Sequence, residues 1–243
     1  MKILCVIPAR IGSTRLPRKM LATINGQAMI QKTYLAACKC PDFDKVLVAT
    51  DSEEIADKVR EVGGEVIMTP TNINTGSDRV AYVAKAFPEY DVVVNLQGDE
   101  PFMNTETLSC LVKPFFTDPS VKMATVGFEL NYDNDYNNPD LVKAILDKNN
   151  DALYFSRSPI PYFRQDRSSI ANLKVLHHVG LYAYKRDFLL EYTTWAQTPL
   201  EQAELLEQLR ALENGVKIRV SETVYKTLEI NNARELELAQ DFE

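Results

Sequence analysis

The chain has 243 residues, of which 45% are hydrophobic and 25% are charged, and its formal net charge is -7. This length suits one large α/β domain or a domain with a small lobe. The acidic balance gives no general attraction to nucleic acid or to an anionic membrane surface. We expect no signal peptide and no membrane span. The four cysteines lack zinc-type spacing, which predicts reduced thiols in a cytoplasmic protein.

The most informative stretch is the first predicted strand, residues 2–8, and the loop behind it. A run of Ile, Leu, Cys and Val followed by turn residues is typical of a central parallel strand. The loop then carries a cluster of cations: Arg10, Arg15, Arg18 and Lys19. Because like charges repel, such a cluster requires an anion, and the first strand-to-helix turn of an open sheet is the usual phosphate site. We therefore predict a polyphosphate cradle.

In this cradle Arg10 and Arg15 are expected to act as bidentate forks and Lys19 as a point charge. Ser13 and the backbone N–H groups near Gly12 add neutral donors. The loop lacks the Gly-Lys-Ser/Thr ending of a P-loop, and its single glycine excludes the dinucleotide fingerprint. The alternative is a surface loop with solvated charges.

Strand and helix patterns alternate through the first half of the chain. The predicted strands are 45–50, 65–68 and 91–96, and the predicted helices are 29–40, 51–62 and 75–87. This alternation implies a mostly parallel sheet that is covered on both faces.

The second half is less regular. It contains the predicted strands 123–129, 141–146, 152–156, 178–184, 217–220 and 227–230. Residues 131–140 and 164–174 are polar and are predicted to be loops. An amphipathic helix is predicted over 199–214, and a capping box of Asn232 and Glu235 predicts a last helix behind it.

Asp99 is a candidate metal ligand because it follows a predicted buried strand, at the sheet edge where the cation loop lies. A carboxylate that faces a polyphosphate normally does so through Mg²⁺. Gln97 and Glu100 flank it. The alternative for Asp99 is a turn former. The positive charge of Arg79 lies at the start of a predicted helix, where the helix dipole disfavours it. This position indicates a contact with an anion or a base, and the alternative is a solvated charge.

A second candidate group lies on the strand 178–184 and the helix 199–214. His178, Tyr182 and Tyr184 share one strand face because side chains alternate with a period of two. Glu204 and Glu207 are predicted to lie one turn apart on the helix, and Gln208 follows them. A structural histidine and solvated helix carboxylates are the alternatives.

Several stretches resemble the sugar cytidylyltransferases, in particular those that act on 3-deoxy-manno-octulosonate. They occur in that family's order over nearly the whole chain, and they are specific as a set although each is weak alone. The stretches are VIPARIGSTRLPRK (6–19), VATDS (48–52), GGEV (63–66), TGSDR (75–79), NLQGDEP (95–101), ALYFSR (152–157), HVGLYAY (178–184), PLE (199–201) and LEQLR (206–210).

The resemblance implies a Rossmann-like nucleotide-diphospho-sugar transferase fold with a mixed, mostly parallel central sheet of about seven strands. It implies one cytidylyltransferase domain over 1–243, with a smaller dimerisation lobe within about 130–200, and a homodimer. The implied reaction is attack of a sugar's anomeric hydroxyl on the α-phosphate of CTP, with Mg²⁺ as cofactor and pyrophosphate as product. The implied pathway is lipopolysaccharide synthesis.

The resemblance also implies residue roles. The residues implied to bind the nucleotide are Pro8, Ala9, Arg10, Ser13, Arg15, Lys19, Ser77 and Arg79. Those implied to bind the eight-carbon sugar acid are Gln97, Arg157, His178, Tyr182, Glu207 and Gln208. Arg10, Lys19 and Asp99 are the implied catalytic residues, and Asp99 is the implied Mg²⁺ ligand.

Two positions depart from the family's pattern. Arg18 stands where the family has glycine, which adds a fourth cation to the loop and restricts its backbone. Asn231 stands where the family has a second Mg²⁺-ligating aspartate, and an amide offers an oxygen without a charge. Glu229, on the same predicted strand face, is a candidate substitute ligand.

Three functions therefore remain open at this point. The first is a cytidylyltransferase for 3-deoxy-manno-octulosonate or for an analogue such as 8-amino-3,8-dideoxy-manno-octulosonate. The second is a non-catalytic paralogue that binds nucleotide or sugar, which Asn231 favours. The third is a glycosyltransferase on the same fold, although the usual Asp-x-Asp motif lacks its first acid at Gln97.

Overall fold

The structure is a computed structural model that describes residues 1–13, 16–171 and 173–242. Its strands are β1 (Ile3–Ala9), β2 (Thr23–Ile24), β3 (Gln27–Ala28), β4 (Lys45–Thr50), β5 (Val66–Met68), β6 (Val92–Asn95), β7 (Met123–Glu129), β8 (Lys143–Leu146), β9 (Ala152–Ser156), β10 (Leu176–Lys185) and β11 (Ile218–Glu222). Its α-helices are α1 (Met29–Ala37), α2 (Glu53–Glu61), α3 (Gly76–Ala84), α4 (Thr105–Thr117), α5 (Tyr132–Asp135), α6 (Arg186–Tyr192), α7 (Pro199–Glu204), α8 (Leu209–Glu213) and α9 (Ala233–Leu238).

The central sheet has the strand order β11-β7-β10-β6-β1-β4-β5. The pairs of β1 with β4, β1 with β6, β4 with β5 and β7 with β11 are parallel, whereas β10 is antiparallel to β6 and β7. Strand β8 pairs with the first residues of β10 and with β9, so β8 and β9 branch from β10 inside the strand order. The mixed, mostly parallel sheet that was expected is thereby confirmed, and it has nine strands within the described residues.

The sheet lies between two apolar layers. Every residue of β1 is buried, because this strand is central and both its faces are covered. One layer contains Cys5 and Ile7 with α1, α2 and α4, and the other contains Leu4 and Val6 with α3 and α6. Within the described residues, no helix has the length and the apolar character that crossing a membrane requires.

The structure confirms several predictions made from local sequence patterns. Thr75 caps α3, where its side chain accepts a hydrogen bond from the Asp78 N–H at 3.0 Å. The capping box at α9 is present: the Asn232 side chain accepts from the Glu235 N–H at 3.0 Å, and the Glu235 carboxylate accepts from the Asn232 N–H at 3.2 Å. Strands β4, β7 and β9 have the predicted bounds.

The single helix predicted over 199–214 is wrong. Helix α7 ends at Glu204, Leu205 adopts a left-handed conformation with φ of 53°, and α8 begins only at Leu209. Glu204 and Glu207 are therefore not one helical turn apart, and Glu207 lies in the connection between the two helices. Gln208 in this connection is buried, and so is Glu207 Oε1, so both side chains bring a polar atom into the interior.

The strand predicted over 227–230 is also wrong, because this segment has no ladder with a neighbouring strand. It is attached to the sheet edge by one backbone hydrogen bond, in which the Ile230 N–H donates to the Asp99 carbonyl at 3.1 Å. Helices α4 and α6 were not predicted, and the short helix α5 lies inside the segment that was predicted to be a loop.

A buried ion pair connects α7 to α8. Two nitrogens of the Arg210 guanidinium donate hydrogen bonds to the Glu201 carboxylate, Nε to Oε2 at 2.8 Å and Nη2 to Oε1 at 2.5 Å. The two side chains are only 6% and 5% exposed. A bidentate pair in such surroundings is strong only while both partners are present, because either charge alone would be buried without compensation.

Replacing Glu201 with Gln is expected to lower the free energy of unfolding by about 3 kcal/mol, because the buried Arg210 charge then loses its bidentate partner and keeps only the Glu207 carboxylate, 3.9 Å away. Urea denaturation followed by circular dichroism measures this difference. The control is Glu53→Gln, which removes an exposed partner of Arg60 and is expected to cost less than about 1 kcal/mol. Equal losses in the two variants would contradict the buried pair's role.

Candidate active site

A cavity of about 350 Å³ opens at the carboxyl ends of β1 and β6, beside the start of α3. The end of β1 supplies Pro8 and Ala9 to its wall, and the segment after β1 supplies Arg10, Ser13 and Lys19. The other predicted site residues in the wall are Arg79, Gln97 and Asp99. The cation loop and Asp99 therefore meet at one edge of the sheet, as the parallel strands require. Arg15, the other predicted phosphate ligand, lies outside the described residues.

Two glycines let the cavity walls approach closely. A Cβ on Gly98 would lie 2.7 Å from the Met20 sulfur and 3.3 Å from the Pro8 carbonyl oxygen. A Cβ on Gly76 would lie 3.4 Å from the Gln97 side-chain nitrogen. The loop after β6 consequently passes directly below the loop after β1, which places Gln97 and Asp99 in the same wall.

Lys19 lies at the centre of the polar contacts in this wall and is only 9% exposed. Its ammonium forms an ion pair with the Asp99 carboxylate and donates a hydrogen bond to Asn231 Oδ1 at 3.3 Å. One cation of the loop thus joins the two positions that the sequence indicates as metal ligands.

The segment 227–231 supplies further oxygen groups to the same place. Thr227 donates a hydrogen bond to the Glu100 carboxylate, and burial raises the pKa of Glu100 to about 8. Loss of solvation and the Asp99 carboxylate raise the pKa of Glu229, which also contacts Asn231. Asp99, Glu229 and Asn231 are therefore neighbours. Over the described residues there is no group of three His, Cys, Asp or Glu side chains arranged to hold a metal.

Arg18 adds a fourth cation to the loop, as its position in the sequence indicates, but its side chain does not face the cavity. Its backbone is left-handed, with φ of 57°, which is a conformation that glycine adopts without cost. Its guanidinium is exposed and pairs with Glu54 on α2. Arg18 is absent from the described residues that line the cavity. The side chain therefore points out of the cavity.

Arg79 and Ser77, which are both implied to bind the nucleotide, have different surroundings. Arg79 is 2% exposed and its guanidinium donates to Asp51 Oδ2 at 3.1 Å and to the Thr69 hydroxyl. It holds the start of α3 against the segments that follow β4 and β5. Ser77 lies deeper, where it accepts a hydrogen bond from Asn95 Nδ2 at 3.4 Å.

A buried polar network leads from the cavity towards the predicted sugar residues. Gln97 donates to Asn95 Oδ1 at 2.9 Å, and Asn95 donates to Ser77. Ser77 in turn contacts Glu207 and Tyr184. The sequence analysis missed Asn95, although a buried asparagine at the end of the Val-Val-Val run of β6 is itself a signal.

His178 and Tyr182 lie further along the antiparallel strand β10. The His178 ring is 6% exposed, and its Nε2 lies 2.9 Å from the Thr125 hydroxyl. Burial, assisted by His177, lowers the pKa of His178 to about 3. The ring contacts Phe155 and Tyr182, with centroid distances of 4.8 and 5.5 Å. His178 is therefore a neutral hydrogen-bonding group near neutral pH.

Arg157 is held by backbone oxygens. Its Nε donates to the Glu204 carbonyl at 2.8 Å, and its Nη1 donates to the Pro139 carbonyl at 3.2 Å. The Glu204 carboxylate instead accepts hydrogen bonds from the Ser156 hydroxyl at 2.6 Å and from the Arg157 N–H at 2.9 Å. Arg157 is thus oriented by its neighbours, and its guanidinium pairs with no carboxylate in the described part of the chain.

Glu207 and Gln208 carry the clearest indication of a polar ligand. Within the described residues, Glu207 Oε1 and Gln208 Nε2 are buried side-chain atoms without a hydrogen-bond partner. Glu207 Oε1 lies 3.9 Å from the Arg210 guanidinium, and burial raises the pKa of Glu207. Buried polar groups are normally paired. A neighbouring acceptor and donor without partners match a ligand that carries hydroxyl groups.

Comparisons with known proteins identify the family of the chain. Residues 4–218 match the family model described as cytidylyltransferase. A relative from Acaryochloris marina, named 3-deoxy-manno-octulosonate cytidylyltransferase, is 48% identical over 242 residues, which are 100% of this chain and 97% of the relative. A relative of the same name from Trichlorobacter lovleyi is 44% identical and covers 99% and 98% of the two chains.

Solved structures show the same fold. The structure of a CMP:2-keto-3-deoxy-manno-octonic acid synthetase in complex with CTP aligns with a TM-score of 0.93 at 38% identity, covering 99% of this chain and 98% of that one. A cytidylyltransferase from Leptospira borgpetersenii shares the fold alone, with a TM-score of 0.63 at 17% identity over 99% of this chain and 85% of that one. The expected nucleotidyltransferase fold is thereby confirmed. By the family model and by these relatives, the chain belongs to the cytidylyltransferase family.

Proposed function

We propose that the protein transfers the cytidylyl group of CTP to the anomeric hydroxyl of 3-deoxy-manno-octulosonate, giving the CMP-sugar and pyrophosphate. The observation that carries this proposal is the polar network from the cavity, through Gln97, Asn95 and Ser77, to the unpaired atoms of Glu207 and Gln208. It joins a triphosphate-sized cationic cavity to a second place suited to a polyol. The names of the relatives support the choice of both substrates.

The triphosphate is proposed to bind in the cavity after β1. Arg10, Ser13 and Lys19 supply a guanidinium, a hydroxyl and an ammonium to one wall, and charge-assisted hydrogen bonds to phosphate contribute about 1.5–3 kcal/mol each. Arg15 joins them in this proposal. The backbone at Pro8 and Ala9 recognises the cytosine. Arg79 and Ser77 support that contact through the α3 start.

The sugar acid is proposed to bind between Gln97 and the α7–α8 connection. Arg157, whose fork is fixed by backbone carbonyls, faces the sugar carboxylate. Glu207 accepts and Gln208 donates hydrogen bonds to sugar hydroxyls, which would satisfy both unpaired atoms. His178 and Tyr182 close this site with neutral polar groups.

A divalent ion is proposed to bind beside Lys19. Asp99, Glu229 and Asn231 offer only oxygen ligands, which Mg²⁺ prefers, and Mg²⁺ is often held by one or two carboxylates together with substrate phosphates. The protein oxygens present therefore fit this ion. When bound, Mg²⁺ supplies positive charge for the α-phosphate and acidifies the attacking hydroxyl. Glu229 replaces the charge that Asn231 lacks.

The chain's own residues contribute positioning and charge. No side-chain nucleophile is required, because the sugar hydroxyl attacks phosphorus directly. Arg10 and Lys19 stabilise the charge that develops on the phosphates, and Gln97 lies between the two substrates. The remaining parts of the proposal are a cytoplasmic homodimer and a role in lipopolysaccharide synthesis. Exposed apolar side chains near β9, Leu153 at 60% and Tyr162 at 86% exposure, suit a dimer contact.

Asp99→Ala is expected to abolish pyrophosphate release from CTP and 3-deoxy-manno-octulosonate, by at least about a thousandfold, because a ligand for charge stabilisation at phosphorus is lost. A coupled phosphate assay across a Mg²⁺ titration measures this. Asp133→Ala, an exposed carboxylate on α5, is the control and should keep full activity. Pyrophosphate release only with the 8-amino analogue would assign that sugar as the substrate instead. No pyrophosphate release by the wild type with any sugar would favour the non-catalytic paralogue.

Glu207→Gln is expected to raise KM for the sugar by about tenfold or more, because a charged hydrogen-bond acceptor is worth about 1.5–3 kcal/mol. The affinity for CTP, measured by calorimetry, should stay within about twofold, since Glu207 lies outside the nucleotide cavity. Glu213→Gln, an acid on α8 that bonds the Leu200 N–H, is the matched control. A weakened affinity for CTP with an unchanged sugar KM would contradict the assignment.

Both histidines are expected to remain neutral between pH 5 and 8, because burial lowers the pKa of His177 to about 4 and that of His178 to about 3. Imidazole nitrogen shifts in a ¹H–¹⁵N spectrum measure this, and His177→Gln assigns the two signals. In the unfolded chain both histidines take up a proton near pH 6.5. The free energy of unfolding contributed by the two rings therefore falls as the pH drops from about 6.5 towards their pKa values in the folded protein. A titration of either folded ring near pH 6.5 would contradict its burial.

A further inference from the structure

The Lys19 ammonium bonds the same side chains that the proposed metal site uses. It is paired with the Asp99 carboxylate and lies 3.3 Å from Asn231 Oδ1. The side chains of Lys19 and Asp99 are only 11% and 13% exposed, so this pair is little screened by solvent. The side chains proposed to hold the divalent ion are thus already in contact with one cation, the Lys19 ammonium.

These two cations exclude each other. A divalent ion bound to the Asp99 carboxylate would lie within contact distance of the ammonium, and two positive charges at such a distance repel strongly in a partly buried site. Binding of the ion therefore requires the ammonium to leave Asp99. Lysine suits such a move because its charge sits on a flexible four-carbon stem.

The alternative place for the ammonium lies in the same cavity. Lys19 lines the wall with Arg10 and Ser13, which are the proposed phosphate ligands. A bound triphosphate presents several negative charges there, and they compensate the ammonium for the loss of Asp99. Arrival of the nucleotide would therefore release the carboxylate for the ion.

We propose that Lys19 is a competing cation that keeps Asp99 closed to divalent ions until nucleotide phosphates draw its ammonium away. This inference rests on the proposed nucleotide and metal sites. Its consequence is positive coupling: nucleotide raises the affinity for the ion, and the ion raises the affinity for nucleotide by the same factor. The protein thus selects the ion together with its nucleotide.

The chain offers a matched control for this idea. Arg18, the neighbouring residue, carries the same charge and belongs to the same loop. It is exposed, pairs with Glu54, and has no contact with Asp99 among the described residues. Replacing either residue with Met removes one positive charge, but only the change at Lys19 removes the competitor. A comparison of the two variants separates direct competition from the general effect of charge.

The experiment measures Mn²⁺ binding to the protein without nucleotide, by electron paramagnetic resonance of the free ion. Mn²⁺ is used because it prefers the same oxygen ligands as Mg²⁺. Lys19→Met is expected to bind Mn²⁺ about tenfold more tightly than wild type, and Arg18→Met within about twofold of wild type. The double variant Lys19→Met with Asp99→Asn is expected to lose the gain.

Three results would overturn the proposal: unchanged Mn²⁺ affinity in Lys19→Met, an equal gain in Arg18→Met, or a gain that persists without the Asp99 carboxylate. Lys19→Gln provides a second variant, and thermal unfolding by circular dichroism verifies that each protein is folded. The measurement requires neither CTP nor sugar. Failure of the proposed function would show instead as absent pyrophosphate release by the wild type.

Discussion

The parallel pairing of β1 with β6 is the constraint on which the site depends. In this register Val6 lies opposite Asn95, so the two strands end at the same edge of the sheet and their following loops emerge side by side. The loop after β1 brings cations, and the loop after β6 brings Gln97 and Asp99. Two buried apolar layers hold these strands, so the positions of opposite charges at the edge follow from the packing of the core.

The charge balance at that edge involves Arg18 and Asn231, the two positions at which the resemblance implies a departure from the family's pattern. Arg18 keeps a backbone conformation suited to glycine, and its charge is neutralised by Glu54 outside the cavity. Asn231 accepts a hydrogen bond from Lys19 and contacts Glu229, which an amide does well because it carries both an acceptor and donors. An aspartate at this position would place a further negative charge beside Glu229 and Asp99.

The sugar half of the site depends on the opposite kind of feature, an interruption of regular structure. Because Leu205 is left-handed, α7 and α8 are separate, and the connection carries Glu207 and Gln208 inwards. The buried pair of Glu201 with Arg210 fixes the two helices on either side of that connection. Stability in this region therefore supports the orientation of two side chains that each carry one buried polar atom without a hydrogen bond, Glu207 Oε1 and Gln208 Nε2.

The sequence by itself determined the features that depend on neighbouring residues. Its periodicity predicted the strands of the parallel half, and the capping box predicted the start of α9. The cluster of cations led to the prediction of an anion site after β1, which stays a prediction. The tertiary structure decided which distant groups meet. The contact of Lys19 with Asn231 spans 212 positions, and residues 227–231 reach Asp99 without forming the predicted strand. The break at Leu205 also carries no glycine or proline signal. Local patterns report local preferences, whereas these contacts arise from burial and hydrogen bonding between segments that are far apart in the chain.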